Sequence, residues 1–306
     1  MDETLEYARN LVVAKRNDML QNARFNLTVQ EQRAILYAIT QIKPEDTGFH
    51  EYEFDIKDFY SVCGIEKDTY TVLKQMLKGL RDKSWTVPIK DANGVKWDTT
   101  VSWFNKVRSN EKSGKVKIRF DDDMMPYLLQ LSKQFAEQGE FYTTYYLKYV
   151  LPMQSKFSPR LYETLKSYQQ NNVRWFFKLE DLQVLLCDCD KDRVPVVPKS
   201  WSNFAEFKRR VIEPAVKEIN EYTDLKISYK AEKENGRYAK ITFLMLEKTK
   251  QEKKLTEKAI EAALDSQSSV EDPDQLDIFA IALKEHEAAL EKEREADRYL
   301  KRWIEK

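Results

Sequence analysis

Asn203, Arg209 and Arg210 carry side chains that form paired, planar hydrogen bonds to a nucleobase edge, asparagine to adenine and arginine to guanine. They stand on an amphipathic pattern over residues 200 to 222. At a helical advance of about 100° per residue, Phe204, Phe207, Val211, Ala215, Ile219 and Tyr222 share one side, and Asn203, Glu206, Arg209, Arg210, Glu213 and Lys217 point away from it. Ser200, Lys208 and Lys217 flank the readers with groups that suit phosphate oxygens. Alone, such a helix describes an ordinary solvated face as well as a reading surface. The residues after it separate the two. Residues 225 to 229 and 238 to 246 alternate apolar and polar side chains about Asn235-Gly236, a pair whose tolerance of positive φ suits a tight hairpin turn. Lys230, Lys233, Arg237 and Lys240 gather round its tip. B-DNA admits a helix into its major groove while nearby cations hold the backbone, so a basic hairpin beside a basic helix predicts a double-stranded DNA partner.

The first half repeats the arrangement without repeating the residues. Val72, Leu73, Met76, Leu77 and Leu80 form a helical stripe, with Lys74, Lys78 and Arg81 largely off it. Trp85, Val87 and Ile89 then alternate, Asn93-Gly94 marks a turn, and a long strand is expected from Val95 to Val107, paired with residues 115 to 120 after the Gly114 turn. Lys90, Lys96, Lys106 and Arg108 lie on this hairpin, and with the helix cations they suit backbone contacts.

Other chemistries lack their residues. His50 and His286 are the two histidines and form no His-x-His pair, so the metal-assisted tyrosine chemistry of relaxases is not expected and both read as surface residues. Gly114-Lys115 lacks the first glycine and the hydroxyl residue of a nucleotide-binding loop. Asp121-Asp122-Asp123 precedes Met124-Met125-Pro126 and reads as a helix N-terminus rather than a magnesium site. Cys187-Asp188-Cys189 reads as a loop with reduced thiols. No catalytic residue, metal or other cofactor is expected. The enzyme alternative, a metal-dependent nickase, would cut a supercoiled plasmid in magnesium.

The elements that must position these residues can be read in order. Residues 4 to 24 suggest a polar helix or extended arm. Thr28 and Glu31 form a capping box that opens a helix through Ile42, with Ile35, Leu36 and Ile39 inward. Tyr52-Glu53-Phe54 is a short strand; Asp55 can cap a helix burying Phe59 and Val62, Gly64 ends it, and Asp68 or Thr69 caps the next. Residues 122 to 151 suggest connecting helices. Ser158 is expected to cap a helix bearing Leu161, Tyr162 and Leu165, and another runs from Leu179 to Leu186. The expected fold is α+β and helix-rich: two tandem winged-helix domains, residues 1–132 and 133–247, and a charged helical extension, 248–306. That extension reads as solvated helix, with an oligomerising arm as the sharper alternative.

The 306 residues suffice for two cores, and no apolar run approaches a membrane span, so a cytoplasmic protein is expected. Its formal net charge of +0 conceals an uneven distribution. Residues 69 to 119 hold 12 Lys and Arg against 4 Asp and Glu, while residues 248 to 306 hold 12 against 15. The local field, not the total, governs approach to a polyanion.

Residues 10 to 42, NLVVAKRNDMLQNARFNLTVQEQRAILYAITQI, resemble the opening of the Rep-3 plasmid replication initiators. Residues 122 to 131 and the run SKFSPRLYE from Ser155 resemble that family's joining segment, and FKRRVIEPA from Phe207, followed by Glu218-Ile219-Asn220, resembles its second recognition helix. The likeness spans roughly residues 10 to 247. One departure is Ala14-Lys15-Arg16, where members often place a serine before Asn17. The resemblance implies binding to repeated origin sequences called iterons, recruitment of the host replication initiator and replicative helicase, and a monomer–dimer equilibrium whose dimers repress the protein's own promoter. It also implies backbone contacts and dimerisation for the first domain and sequence-specific recognition for the second. A dedicated winged-helix repressor would use the same helices. From spacing alone, two reading helices on one chain should meet major-groove segments ~10 bp apart, giving a site of about 20 bp.

Overall fold

The computed structural model describes residues 9–63, 70–90, 95–110, 112–139, 141–169, 172–190 and 194–267. Gly64, the Asp68 or Thr69 cap, the Asn93-Gly94 turn and the second helical stretch of the extension lie outside them, as do the side chains of Val72, Leu73, Val87, Ile89, Lys90 and Lys96.

The chain opens with strand β1 (Val12–Arg16) and helix α1 (Asn17–Asn22), where the sequence suggested a polar helix or an arm. Helix α2 (Val29–Ile39) begins with the expected capping box. Thr28 Oγ1 accepts from the Glu31 amide at 3.3 Å, and the Thr28 amide donates to the Glu31 carboxylate at 2.8 Å. Strand β2 (Tyr52–Asp55), helices α3 (Ile56–Cys63) and α4 (Tyr70–Asp82), and strands β3 (Ser84–Lys90), β4 (Lys96–Ser102), β5 (Phe104–Asn110) and β6 (Lys115–Phe120) complete the first half. The single long strand expected through Val107 is broken at Trp103. That ring is 1% exposed and packs against Trp85 and Phe25, so β4 stays paired with β3 while β5 turns away to join the sheet ordered β2-β6-β5.

A short 3-10 turn (Asp122–Met124), helices α5 (Met125–Leu128) and α6 (Leu131–Gln138) and strand β7 (Tyr142–Tyr146) follow. The strand was not foreseen. Thr143 and Tyr145 face inward and Thr144 and Tyr146 outward, and β7 pairs antiparallel with β1 from Val12 opposite Tyr146 to Arg16 opposite Tyr142. Helix α7 (Phe157–Gln169), strand β8 (Arg174–Lys178), helix α8 (Leu179–Leu186), strands β9 (Asp188–Cys189) and β10 (Pro195–Val196), helices α9 (Phe204–Phe207) and α10 (Glu213–Tyr222), strands β11 (Leu225–Glu234) and β12 (Arg237–Glu247) and helix α11 (Lys250–Gln267) complete the described chain. Ser158 is not the cap of α7. The helix starts one residue earlier, Ser155 Oγ accepts the Phe157 amide at 3.3 Å, and Ser158 is fully buried inside it. The Cys187–Cys189 segment is likewise no simple loop, since β9 pairs with β10.

The two halves meet through buried polar contacts. Lys15 Nζ donates to Glu163 on α7 at 2.6 Å, and the Tyr145 hydroxyl donates to the same carboxylate. Burial, then the Glu163 charge, pushes the Tyr145 phenol well above its ordinary range. Asn17 Nδ2 donates to Ser167 O at 3.2 Å, and Arg160 reaches the carbonyls of Ala23 and Phe25 while lying 4.1 Å above the Phe25 ring. On the far side, α11 packs against α10 with Ile260 and Leu264 buried, so the start of the extension is docked rather than solvated.

Candidate nucleic-acid interface

The second half presents its cations from α9, α10 and the hairpin β11–β12. Trp201 anchors the entry: it is 5% exposed, its ring meets Phe207 at 4.9 Å, and its carbonyl accepts from Gln183 at 2.8 Å. Asn203 caps the helix, its Oδ1 accepting from the Ala205 amide at 3.0 Å. The expected unbroken helix from 200 to 222 is instead a 3-10 turn (Lys199–Ser202), α9, a π-helical turn (Lys208–Ile212) and α10. Pro214 supplies the reason. It has no N–H to offer the Arg210 carbonyl, and the Glu213 amide reaches back to Lys208 O, closing a wide turn. Val211 and Ile212 both face the core at this turn, fully buried with Phe207, Ala215 and Ile219.

Arg209 and Arg210 emerge from this wide turn and remain exposed, as do Asn203, Ser200 and Lys217. Both arginines donate to one oxygen of Glu206, Arg209 Nη2 at 2.9 Å and Arg210 Nε at 2.8 Å. These bonds, Arg209's first, hold the Glu206 carboxyl below its ordinary range. Lys208 sits 3.2 Å from Glu213 on the flank toward the hairpin, and that contact raises its pKa.

The hairpin turns at Asn235 (φ 50°) and Gly236 (φ 79°), as the pair implied. Lys230, Lys233 and Arg237 are exposed around it, and Lys240 is half-buried between Glu232 at 3.4 Å and the Phe176 ring. Helix and hairpin are joined by two residues whose contact the sequence did not predict. The Phe204 and Tyr238 rings stack at 4.0 Å with 27° between planes, and Lys233 Nζ lies 4.8 Å from the Tyr238 ring. Beneath the stack runs an open groove bounded by Ser202, Asn203, Lys208, Lys233 and Arg237. Residue 238 opens the alternating strand, but a stack between it and a ring on the helix has no local signature.

In the first half, Leu77 and Leu80 are buried and Lys78 and Arg81 exposed, Arg81 meeting Asp82 at 3.1 Å. Lys74 lines a basic groove with Arg108, Lys112, Lys115 and Lys117, the last three of which sequence reasoning did not select. Lys90 and Lys96 are register partners where β3 and β4 pair. Lys106 and Arg108 pair with Glu51 at 2.8 and 3.3 Å, and Lys115 and Lys117 with Glu53 at 2.5 and 2.7 Å. Hydrogen bonds from Lys115 and then Lys117 hold the Glu53 carboxyl down at about 2, and Glu51 is lowered by Lys106 first. Asp121 caps its 3-10 turn by accepting from the Asp123 amide at 3.1 Å.

Helices followed by a paired hairpin, twice on one chain, define a tandem winged-helix protein. Residues 12–166 match the family described as Initiator Replication protein, WH1, and residues 191–245 that described as Initiator Rep protein, WH2. The first match alone spans half of the chain, and the protein belongs to the Rep-3 replication initiator family. A "Replication initiation protein" of Escherichia coli is 25% identical over 228 residues, 71% of this chain and 64% of that protein, so the chain aligns with less than two thirds of it. An "Uncharacterized 27.6 kDa protein" of Escherichia coli is 23% identical over 230 residues, 71% of this chain and 89% of that protein. The crystal structure of Pi initiator protein in complex with iteron DNA superposes with a TM-score of 0.57 at 18% identity, covering 78% of this chain and 98% of that one, a likeness of fold.

Proposed function

We propose that this chain initiates plasmid replication by binding repeated origin sequences as duplex DNA. One observation carries the reading: the exposed Arg209–Arg210 edge of a winged helix stands beside a basic hairpin locked to it by the Phe204–Tyr238 stack. Asn203, Arg209 and Arg210 read bases in the major groove. Ser200, Lys208 and Lys217 on the helix, with Lys230, Lys233, Arg237 and Lys240 on the wing, hold the backbone. In the first half Lys74, Lys78, Arg81, Lys90, Lys96, Lys106 and Arg108 contact phosphate, joined by Lys112, Lys115 and Lys117. Residues 133–247 give specificity and residues 1–132 backbone contacts and dimerisation, over a site of about 20 bp.

Family membership supports further roles: recruitment of the host initiator and helicase, and repression of its own promoter by dimers. The activity is binding and assembly in the cytoplasm rather than catalysis; among the described residues no helix is long and apolar enough to cross a membrane. Supplied in trans, the protein should let a plasmid carrying only the DNA flanking its gene replicate, and should footprint repeats there. Footprints without replication would mark a dedicated repressor, and magnesium-dependent nicking of a supercoiled plasmid an enzyme.

A further inference from the structure

Glu206 is an acid on a helix built to approach a polyanion. It lies in the first turn of α9, where a carboxylate favours the helix N-terminus, yet its geometry does more than that. At positions i+3 and i+4 from it, Arg209 and Arg210 both donate to its Oε2. All three side chains are at the surface, the arginines 61% and 60% exposed and the glutamate 34%. Arg210 engages through Nε, so this contact does not consume the two terminal nitrogens that make a paired bond to guanine.

We propose that Glu206 is a specificity-determining positioning residue: it holds the Arg210 guanidinium with its terminal nitrogens free for a base, tethers Arg209 beside it through Nη2, and denies both to phosphate. This rests on the function proposed above. On arbitrary duplex, an arginine that turns to a phosphate exchanges one anionic partner for another and leaves Glu206 facing the backbone with less positive charge around it. The exchange gains little. At the right guanine, Arg210 can add two base bonds through its terminal nitrogens while Nε keeps its carboxylate, so nothing is given up. Discrimination therefore comes from a repulsive element set against wrong sites as well as an attractive one for the right site.

The test uses the full chain, a duplex recovered by wild-type protein from a random-sequence pool, and a scrambled duplex of equal length, with Kd measured across a series of KCl concentrations. Glu206→Gln keeps the acceptor and size but removes the charge. It should bind scrambled duplex about 3- to 10-fold more tightly, with a salt slope steeper by roughly one ion, while affinity for the selected duplex changes less, so the selectivity ratio falls. Glu206→Asp, which keeps the charge but shortens the reach, should lose selectivity with a smaller gain on scrambled DNA. Three results would overturn the proposal: equal changes on both duplexes, which assign Glu206 to helix stability; weaker binding to the selected duplex alone, which makes it a base reader; and no change. Wild-type protein that fails to enrich any sequence refutes the parent reading instead.

Discussion

Replacing Glu163 with glutamine should destabilise the chain far more than its single-atom chemistry suggests. Lys15 is 4% exposed and Glu163 6%, so the ammonium has given up water for one carboxylate at 2.6 Å. Glutamine preserves the volume and an acceptor for the Tyr145 hydroxyl but leaves Lys15 as an uncompensated buried charge. Removing one partner of such a pair costs about 3–5 kcal/mol. At ~2–4 °C per kcal/mol for a folded unit of this size, melting should fall by roughly 6–20 °C. Because β1 and α7 lie at opposite ends of the matched WH1 segment, the loss falls on the packing that closes that segment. The assay is urea denaturation followed by tryptophan fluorescence for Glu163→Gln, Lys15→Met and the double variant. The double variant should recover at least ~2 kcal/mol relative to the sum of the singles, since removing both charges removes the penalty. Additivity within ~0.5 kcal/mol, or a Glu163→Gln loss below ~1 kcal/mol, would refute the reasoning.

Arg210→Ala should weaken binding to the selected duplex by about 1–3 kcal/mol and relax preference at one base pair; equal losses on scrambled duplex would assign Arg210 to phosphate. Tyr238→Ala should loosen the wing and lower affinity for both duplexes by about 0.5–1.5 kcal/mol, the worth of an aromatic pair, whereas Tyr238→Phe, keeping the stack with Phe204, should match wild type in the same titrations. Burial holds the Lys248 ammonium down at about 8 against an ordinary 10.5. The folded chain sheds that proton near pH 8 and an unfolded one keeps it to about 10.5, so the unfolded state binds more protons in this window and stability gains with pH across it. Lys248→Met should flatten that part of a stability–pH curve.

Periodicity made the first layer of the fold legible. The Thr28–Glu31 capping box, the Asn235-Gly236 turn and the stripe Phe207, Val211, Ala215 and Ile219 all have local causes, and all stand in the structure as the residues implied. Where neighbours distant in the chain decide, local pattern fails. Val13 and Lys15 become a strand only because Tyr145 and Thr143 lie opposite them, and the chain breaks at Trp103 because a buried ring outweighs strand continuity. Pro214 was visible, but its effect on the helix phase before it was not drawn from a wheel of uniform pitch. The cations of the candidate interface could be picked out by type; the Phe204–Tyr238 stack and the bonds that Glu206 shares with two arginines could not, because they join a helix to a hairpin or link residues read singly.

The same arrangement reconciles a zero formal charge with the DNA partner proposed above. Four of the first-half cations are held by Glu51 and Glu53, and two of the second-half candidate readers by Glu206. The bonds hold these carboxylates below their ordinary pKa, and the pairs damp the field that would draw any duplex in. A surface of unpaired lysines would bind every stretch of DNA with a steep dependence on salt. Pairing these six cations weakens indiscriminate attraction and leaves more to geometry: at those positions a site must offer acceptors good enough to compete with a carboxylate already in place. If the proposed function holds, sequence preference is set by acids such as Glu206 as well as by the bases they hold.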